Sequence, residues 1–464
     1  MKGSHDLQSS SKKKKSGSLG GRILLFLFLI LVGAVVFAGI ILFETEKPLV
    51  NVPGSTTALG QETEISFTVS DGRSGVQSIV VEVRQGGTSK EIFRKRFPRR
   101  SWIESGGPER VDELAVFSAA GTKFKDGEAE LVITARDFSL NGFLKGNKTE
   151  FIRPVVIDTS PPRVALKHTQ RYIRPGGSGL IVYDLSEPVV SHGVVVNDNF
   201  FPGYPMEDRE GRYLAYIALP WDAEKIELST VVARDKAGNE GKSVFSMIYK
   251  PKQYKSDRIN VSDSFLSSKI PEFEGNAGVE IKGANLLEKF LFVNNEIRRA
   301  NAETILKLCA RSGDRRLWQD RFLRMAGQTM AGYAEKRTYY YNDKAVDQQV
   351  HLGMDIASTT SVPIKAANRG KVVFANYLGI YGNTVILDHG QGLFSLYSHL
   401  SRIDTVPDEI VDQGAIIAHS GATGMAGGDH LHFSILISGI FANPIEWMDQ
   451  NWIEVNIKDI LSRL

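Results

Sequence analysis

The sequence predicts a mainly β protein. An N-terminal transmembrane helix leads into two antiparallel β-sandwich modules, then a helical insert and a C-terminal antiparallel β-sheet domain. Three observations carry this reading. Ile23 to Phe43 is an apolar run without one charged side chain. From about 46 to 258, short alternating strands recur between Gly, Pro, Asp and Asn turns. Six of the nine histidines then crowd into residues 351–432, again among alternating strands. A chain of 464 residues is too long for one core, at the usual ~100–200 residues per domain.

The apolar run is long enough for about 30 Å of hydrocarbon. Lys2, Lys12, Lys13, Lys14, Lys15 and Arg22 precede it, and Glu44, Glu46 and a lone Lys47 follow. Positive charge stays on the cytoplasmic side, so residues 1–22 are expected inside, 23–43 in the cytoplasmic membrane and the rest outside. The run exceeds the ~7–15-residue core of a cleaved signal peptide, which favours a retained single-pass anchor. A net charge of +3 gives no nucleic-acid footprint. The single cysteine, Cys309, excludes an intrachain disulfide and a cysteine-rich zinc site, so any metal must be held by His, Asp or Glu.

Two stretches after the anchor repeat one pattern. "ELVITARDFSLNG" (130–142) and "STVVARDKAGNE" (229–240) each run from an alternating strand into Ala-Arg-Asp, with an Asn four residues after the Asp. These ends resemble the D-x-x-G-N ends of bacterial immunoglobulin-like domains, which implies two Ig-like sandwiches, 46–157 and 162–258. Between them the paired prolines of "IDTSPPRV" (157–164) cannot continue a central strand. No loop here gathers His, Cys or aromatic side chains, so the modules read as spacers, together reaching roughly 70 Å.

At residues 261–335 the period changes to helical. Leu286, Phe290, Val293 and Ile297 fall on one helix face, and residues 303–325 read as a second helix or pair of helices broken at Ser312-Gly313. Cys309, among Ile305, Leu306 and Leu308, reads as a small core residue. This insert is also placed to act as a lid or a docking surface. Residues 336–450 form the last domain, and 451–464 a tail.

"GGDHLHFSI" (427–435) sets His430 and His432 two apart, on one side of a strand. "HLGMD" adds His351 and Asp355, separated by a Gly that lets the backbone turn, and "GLFSLYSHL" (392–400) adds His399. Two imidazoles and one carboxylate suffice for a catalytic zinc, and two further imidazoles remain for proton work. His389 and His419 read as local strand-end and turn residues.

"HLGMDIAS", "YGNTVILDHGQGLFSLYSHLS", "SGATG" and "GGDHLHF" resemble the motifs of the lysostaphin/LytM-type zinc metalloendopeptidases, in order and spacing, over about residues 336–447. The resemblance implies a LytM-like fold, with His351, Asp355 and His432 as ligands of Zn2+ and His399 and His430 as the catalytic pair. His430 would be the general base, and His399 would serve the oxyanion or the departing amine. Asp429 and Ser434 depart from the family pattern, at positions that bear on substrate fit. The implied activity is endopeptidase hydrolysis of stem peptides or cross-links in peptidoglycan. The implied place is the inner membrane, with a periplasmic catalytic domain and cell-division or envelope proteins as partners. The alternative is a zinc-binding scaffold that activates other wall hydrolases, and retention of all five positions argues for the enzyme.

Overall fold

The computed structural model describes residues 19–54, 56–101, 105–207, 209–276, 278 and 280–464. The lysines at 2 and 12–15 lie outside the described residues. Leu19–Leu42 is one α-helix, and its stretch Gly20–Gly39, with a mean hydropathy of 2.6, is long and apolar enough to cross a membrane. Ile23, Phe26, Leu31 and Phe37 are more than half exposed on its surface. Among the described residues nothing buries these side chains.

The chain forms two compact units. Unit one ends at Ser160, inside the "IDTSPPRV" stretch, and also takes in Lys236–Asn239. Its strands make two sheets. Leu49–Asn51, Glu62–Ser70 and Arg110–Ser118 form one; Ala58–Leu59, Lys148–Ile157, Gly127–Asp137, Val76–Gln85 and Thr88–Arg96 form the other. Alternation decides what is buried: Ile65, Phe67 and Val69 of one sheet share a core with Ile79, Val81, Val83, Leu131 and Ile133 of the other. Asp137, of the Ala-Arg-Asp end, accepts from Asn147 N at 2.7 Å, Asn147 Nδ2 at 2.8 Å and Ser139 N at 3.0 Å, so that carboxylate ties down the loop that follows it.

Unit two holds a second pair of sheets, each four-stranded. One is Tyr204–Met206, Arg209–Ala218, Ser178–Leu185 and Val164–His168; the other is Asn199–Pro202, Ser191–Val196, Ser229–Arg234 and Glu240–Val244. It then has the helices Asp263–Asn276 and Leu286–Phe292. The latter continues through a π-helical turn, Val293–Ile297, into Arg298–Leu308. Asn285 caps this helix by accepting from Glu288 N at 2.9 Å.

A large antiparallel sheet follows, in the order Gln328–Ala331, Met354–Ala357, Leu431–Ile437, Leu393–Leu400, Asn383–Asp388, Gly370–Tyr377 and Ile410–Val411; Ile440–Ala442 also pairs with Leu431–Ile437. It is buried on both faces. One face shares a core with the second sandwich through Tyr216, Trp318, Phe322 and Trp447, and the other packs on Phe273, Val293, Ile297, Ile305 and Cys309 of the helices.

The helix expected over 303–325 stops at Leu308. Ser312 Oγ and Gly313 N donate to the Asp388 carboxylate at 2.6 and 3.0 Å, which fixes the chain across the strand end. Beyond them Trp318 and Phe322 are drawn into the shared core as irregular chain. Cys309 is buried, as a core residue should be, and burial pushes its thiol pKa up. The last residues, expected as a tail, are short helices with Ile453 and Ile457 buried.

Glu446 accepts from Ser178 N at 2.7 Å, and burial raises its pKa to about 7. An acid with a raised folded-state pKa contributes stability that is complete below its unfolded value near 4.5 and lost as pH rises through about 7. Glu446→Gln keeps an acceptor for Ser178 N and removes that loss. The variant is expected to outlast the parent in urea at pH 8, by at most about 3 kcal/mol since the side chain is partly exposed, and to match it at pH 4.5. Equal midpoints at pH 8 would show that the carboxylate is ionised there without strain.

Candidate active site

The site is assembled by strand register. Asp355 is the direct partner of His432, and His432 of Ser398, across three adjacent antiparallel strands. Directly opposed residues share a face, so the carboxylate and the imidazole meet. His351 arrives from the end of the strand Lys344–His351, just ahead of Asp355. His351 Nε2 lies 2.8 Å from Asp355 Oδ1 and 2.8 Å from His432 Nδ1, and His432 Nδ1 lies 2.9 Å from Asp355 Oδ1. All three residues are buried, at 5%, 7% and 4% exposure for 351, 355 and 432.

Hydrogen bonds to the outer nitrogens set the tautomers. His351 Nδ1 lies 2.9 Å from the Gly332 carbonyl, so it donates, and in the neutral ring Nε2 carries the lone pair. Ser434 Oγ donates to the Leu352 carbonyl at 2.8 Å and therefore accepts from His432 Nε2 at 3.0 Å, leaving the His432 lone pair on Nδ1. Two lone pairs and a carboxylate oxygen thus face one another at under 3 Å. Burial pushes the His432 pKa down to about 4, which keeps that ring neutral. This is the donor set of a divalent-cation site: two neutral imidazoles and one carboxylate, their ligand atoms within 4.8 Å of one another.

The other two predicted residues flank it. His430 immediately precedes the strand Leu431–Ile437 and bridges Gly421. Its Nε2 is 3.6 Å from Asp355 Oδ1, and its Nδ1 donates to the Gly428 carbonyl at 2.8 Å. By alternation, His399 should face away from the site, because Ser398 is the residue opposite His432. Instead His399 has φ +62°, a left-handed conformation that a non-glycine residue adopts at a cost of about 1–3 kcal/mol. That turn brings its ring to 4.9 Å from His430 and 5.7 Å from His432, centroid to centroid, while Nδ1 donates to the Thr423 carbonyl at 2.8 Å. Burial and the neighbouring imidazoles lower its pKa well below the ordinary histidine value.

His389 and His419 stand elsewhere. His389 is buried between the Arg369 carbonyl and Ser395 Oγ, and His419 pairs with Asp404 at 2.9 Å.

One contributor, Arg337, escaped the sequence reading, and two others, Ser434 and Gly353, were read there with other roles. Arg337 Nη2 donates to the second oxygen of Asp355 at 2.8 Å, leaving Oδ1 for the inner side. Ser434 orients His432; lying two residues on along the same strand, it was findable by the alternation that paired 430 with 432. Gly353 was expected to permit a turn. It is needed for close approach, because a Cβ there would meet the His432 ring at 2.5 Å and Ser434 Oγ at 2.6 Å. Ser434→Ala and Arg337→Gln are each expected to weaken zinc binding about 10–100-fold, read by competition with a chelating dye. An unchanged zinc affinity in both variants would remove these side chains from the site.

Residues 349–444 match peptidase family M23. Over 97 residues the chain is 35% identical to the DD-carboxypeptidase/endopeptidase Mpg of Neisseria meningitidis serogroup B, covering 21% of this chain and 22% of that one. Over 96 residues it is 36% identical to the peptidoglycan DD-endopeptidase ShyC of Vibrio cholerae, covering 21% and 22%. These alignments span about a fifth of the relatives' own length. Lipoprotein NlpD of Yersinia enterocolitica is 38% identical over 97 residues, 21% of this chain and 99% of that sequence. The matched segment runs through every histidine of the assembled cluster, and on that likeness the chain belongs to peptidase family M23.

Proposed function

We propose that this chain is a zinc-dependent endopeptidase that hydrolyses peptide bonds in the stem peptides or cross-links of peptidoglycan, held at the cytoplasmic membrane by its N-terminal helix with the catalytic part outside. The observation that carries the reading is the buried triangle of His351, Asp355 and His432, each donor aimed inward by a second hydrogen bond. Zinc bound there would act as a Lewis acid, polarising the scissile carbonyl and the attacking water.

The remaining chemistry falls to His399 and His430. Both spend Nδ1–H on a backbone carbonyl, Thr423 and Gly428, so both present Nε2 for proton transfer. One Nε2 takes the proton from the attacking water, and a proton returns to the departing amine. The lysines and Arg22 before the apolar run 23–43, with acidic residues after it, support a cytoplasmic N-terminus. The names of the Neisseria and Vibrio relatives support peptidoglycan as the substrate.

The test is mass spectrometry of muropeptides released from purified peptidoglycan by the full chain in detergent, with zinc and with a chelator. Zinc-dependent release of cleaved peptides is expected. Stoichiometric zinc binding without any cleavage would establish the scaffold alternative instead.

A further inference from the structure

A cavity of about 690 Å³ opens beside the histidine cluster, with His351, His399 and His432 in its lining. The lining is also basic. Arg298 and Arg299 come from the helix that follows the π-helical turn, and Lys336 and Arg337 from the strand Glu335–Tyr341. Among the described residues no Asp or Glu lines it. The nearby Asp347 is already engaged, accepting from Asn294 Nδ2 and Asn295 Nδ2 at 2.7 and 2.9 Å.

The four cations differ in what they have left to give. Arg337 is committed to Asp355. Arg299 is held between Glu296 and Glu303 at 2.7 and 2.9 Å. Lys336 is exposed on the rim. Arg298 is different: its Nε and Nη2 donate to Asn294 O and Oδ1 at 3.0 and 2.6 Å, and among the described residues it has no ion pair. Asn294 is itself fully buried and anchored to Asp347. A guanidinium has five N–H donors, and two of these are used to hold the group still.

The helix bearing it is pinned too, since Asn301 Oδ1 accepts from Ile380 N at 2.9 Å, in the turn whose Tyr381 packs 5.7 Å from the His432 ring. A fixed guanidinium without a carboxylate partner, in a cavity shared with the cluster, is a preorganised carboxylate receptor.

We infer that this cavity binds a free carboxylate of an anionic peptide substrate, and that Arg298 is the residue that receives it. The inference rests on the peptidoglycan reading, whose stem peptides carry free carboxylates beside the bonds to be cut. It makes the amidation state of those carboxylates a determinant of specificity, set by a helix upstream of the region that matches the family. Lys336 supplies longer-range attraction at the rim.

Binding tests it without cleavage. Full-length protein, stripped of metal by chelator so that no peptide carboxylate can ligate zinc, is titrated by calorimetry with a synthetic stem tetrapeptide. One form has its side-chain carboxylates free, and the other has them amidated. The free acid is expected to bind about 10–100-fold more tightly, the usual value of a charge-assisted pair. Arg298→Gln should bring the free acid down to the affinity of the amide and leave the amide unchanged, and Arg298→Lys should restore part of the preference. Equal affinity of the parent for both peptides, or equal loss of both in Arg298→Gln, overturns the proposal. If the preference is present and depends on Arg298 but the zinc-loaded parent cleaves neither peptidoglycan nor peptide, carboxylate recognition stands and the peptidase reading falls.

Discussion

Alanine at His351 is expected to abolish zinc binding and peptide cleavage together, whereas alanine at His430 is expected to abolish cleavage and leave the zinc in place. The two imidazoles both approach Asp355 Oδ1 and differ in what their nitrogens do. His351 Nε2 is 2.8 Å from both other donors of the triangle, and without it only a carboxylate oxygen and one imidazole remain. His430 Nε2 stands off at 3.6 Å, with Nδ1 tied to the Gly428 carbonyl. A proton-handling group of this kind contributes typically ~10²–10⁴ in rate. Metal analysis after dialysis, run beside muropeptide release, separates the two outcomes. Near-parental cleavage by His430→Ala, or loss of zinc equal to that of His351→Ala, would show that the division between ligands and proton carriers is misplaced.

The parts of this site that the sequence made legible are those that depend on local period. Alternation put His430 and His432 on one side of a strand, and both do face Asp355 Oδ1. The short strands between turns were legible for the same reason: Ile65, Phe67 and Val69 alternate because one face of their sheet is buried.

What depends on distant chain was not legible. No period connects Arg337 to Asp355, or Asn294 to Asp347; the sheet and the packing of the helix bring them together. The helix expected to reach 325 has an adequate helical pattern, but Trp318 and Phe322 gain more by entering a core made from other strands, and tertiary burial overrides propensity. The resemblance placed His399 in the site, but not how it gets there: the register opposes Ser398 to His432, and the left-handed backbone at His399 brings its ring to the cluster. Strain at a non-glycine residue beside the triangle of His351, Asp355 and His432 is the kind of local violation that accompanies function.

The second large effect concerns folding and is expected at Trp447. Its indole Nε1 donates to Ser178 Oγ at 3.0 Å, and its ring packs edge-on against Tyr216, Trp318 and Phe322 at 5.7, 5.5 and 5.9 Å between centroids. Trp452 lies 5.5 Å away on the other side. Ser178 and Tyr216 belong to the second sandwich, and Trp318 and Phe322 to the irregular segment. Trp447 follows the last strands of the large sheet, and Trp452 belongs to the C-terminal helices. One fully buried side chain therefore joins four pieces of unit two. Trp447→Ala removes it at a cost of about 3–5 kcal/mol, which lowers the melting temperature of that unit by roughly 5–8 °C. Trp447→Phe keeps most of the ring contacts and loses the bond to Ser178, for about 1 kcal/mol. The same packing means that a fragment beginning at residue 336 lacks Trp318, Phe322 and Tyr216 and exposes the Trp447 face. It is expected to be unstable, whereas a fragment from 161 to the end should melt cooperatively. A cooperative, soluble fragment 336–464 with the parent's melting temperature would show that the peptidase part does not need the sandwich it packs against.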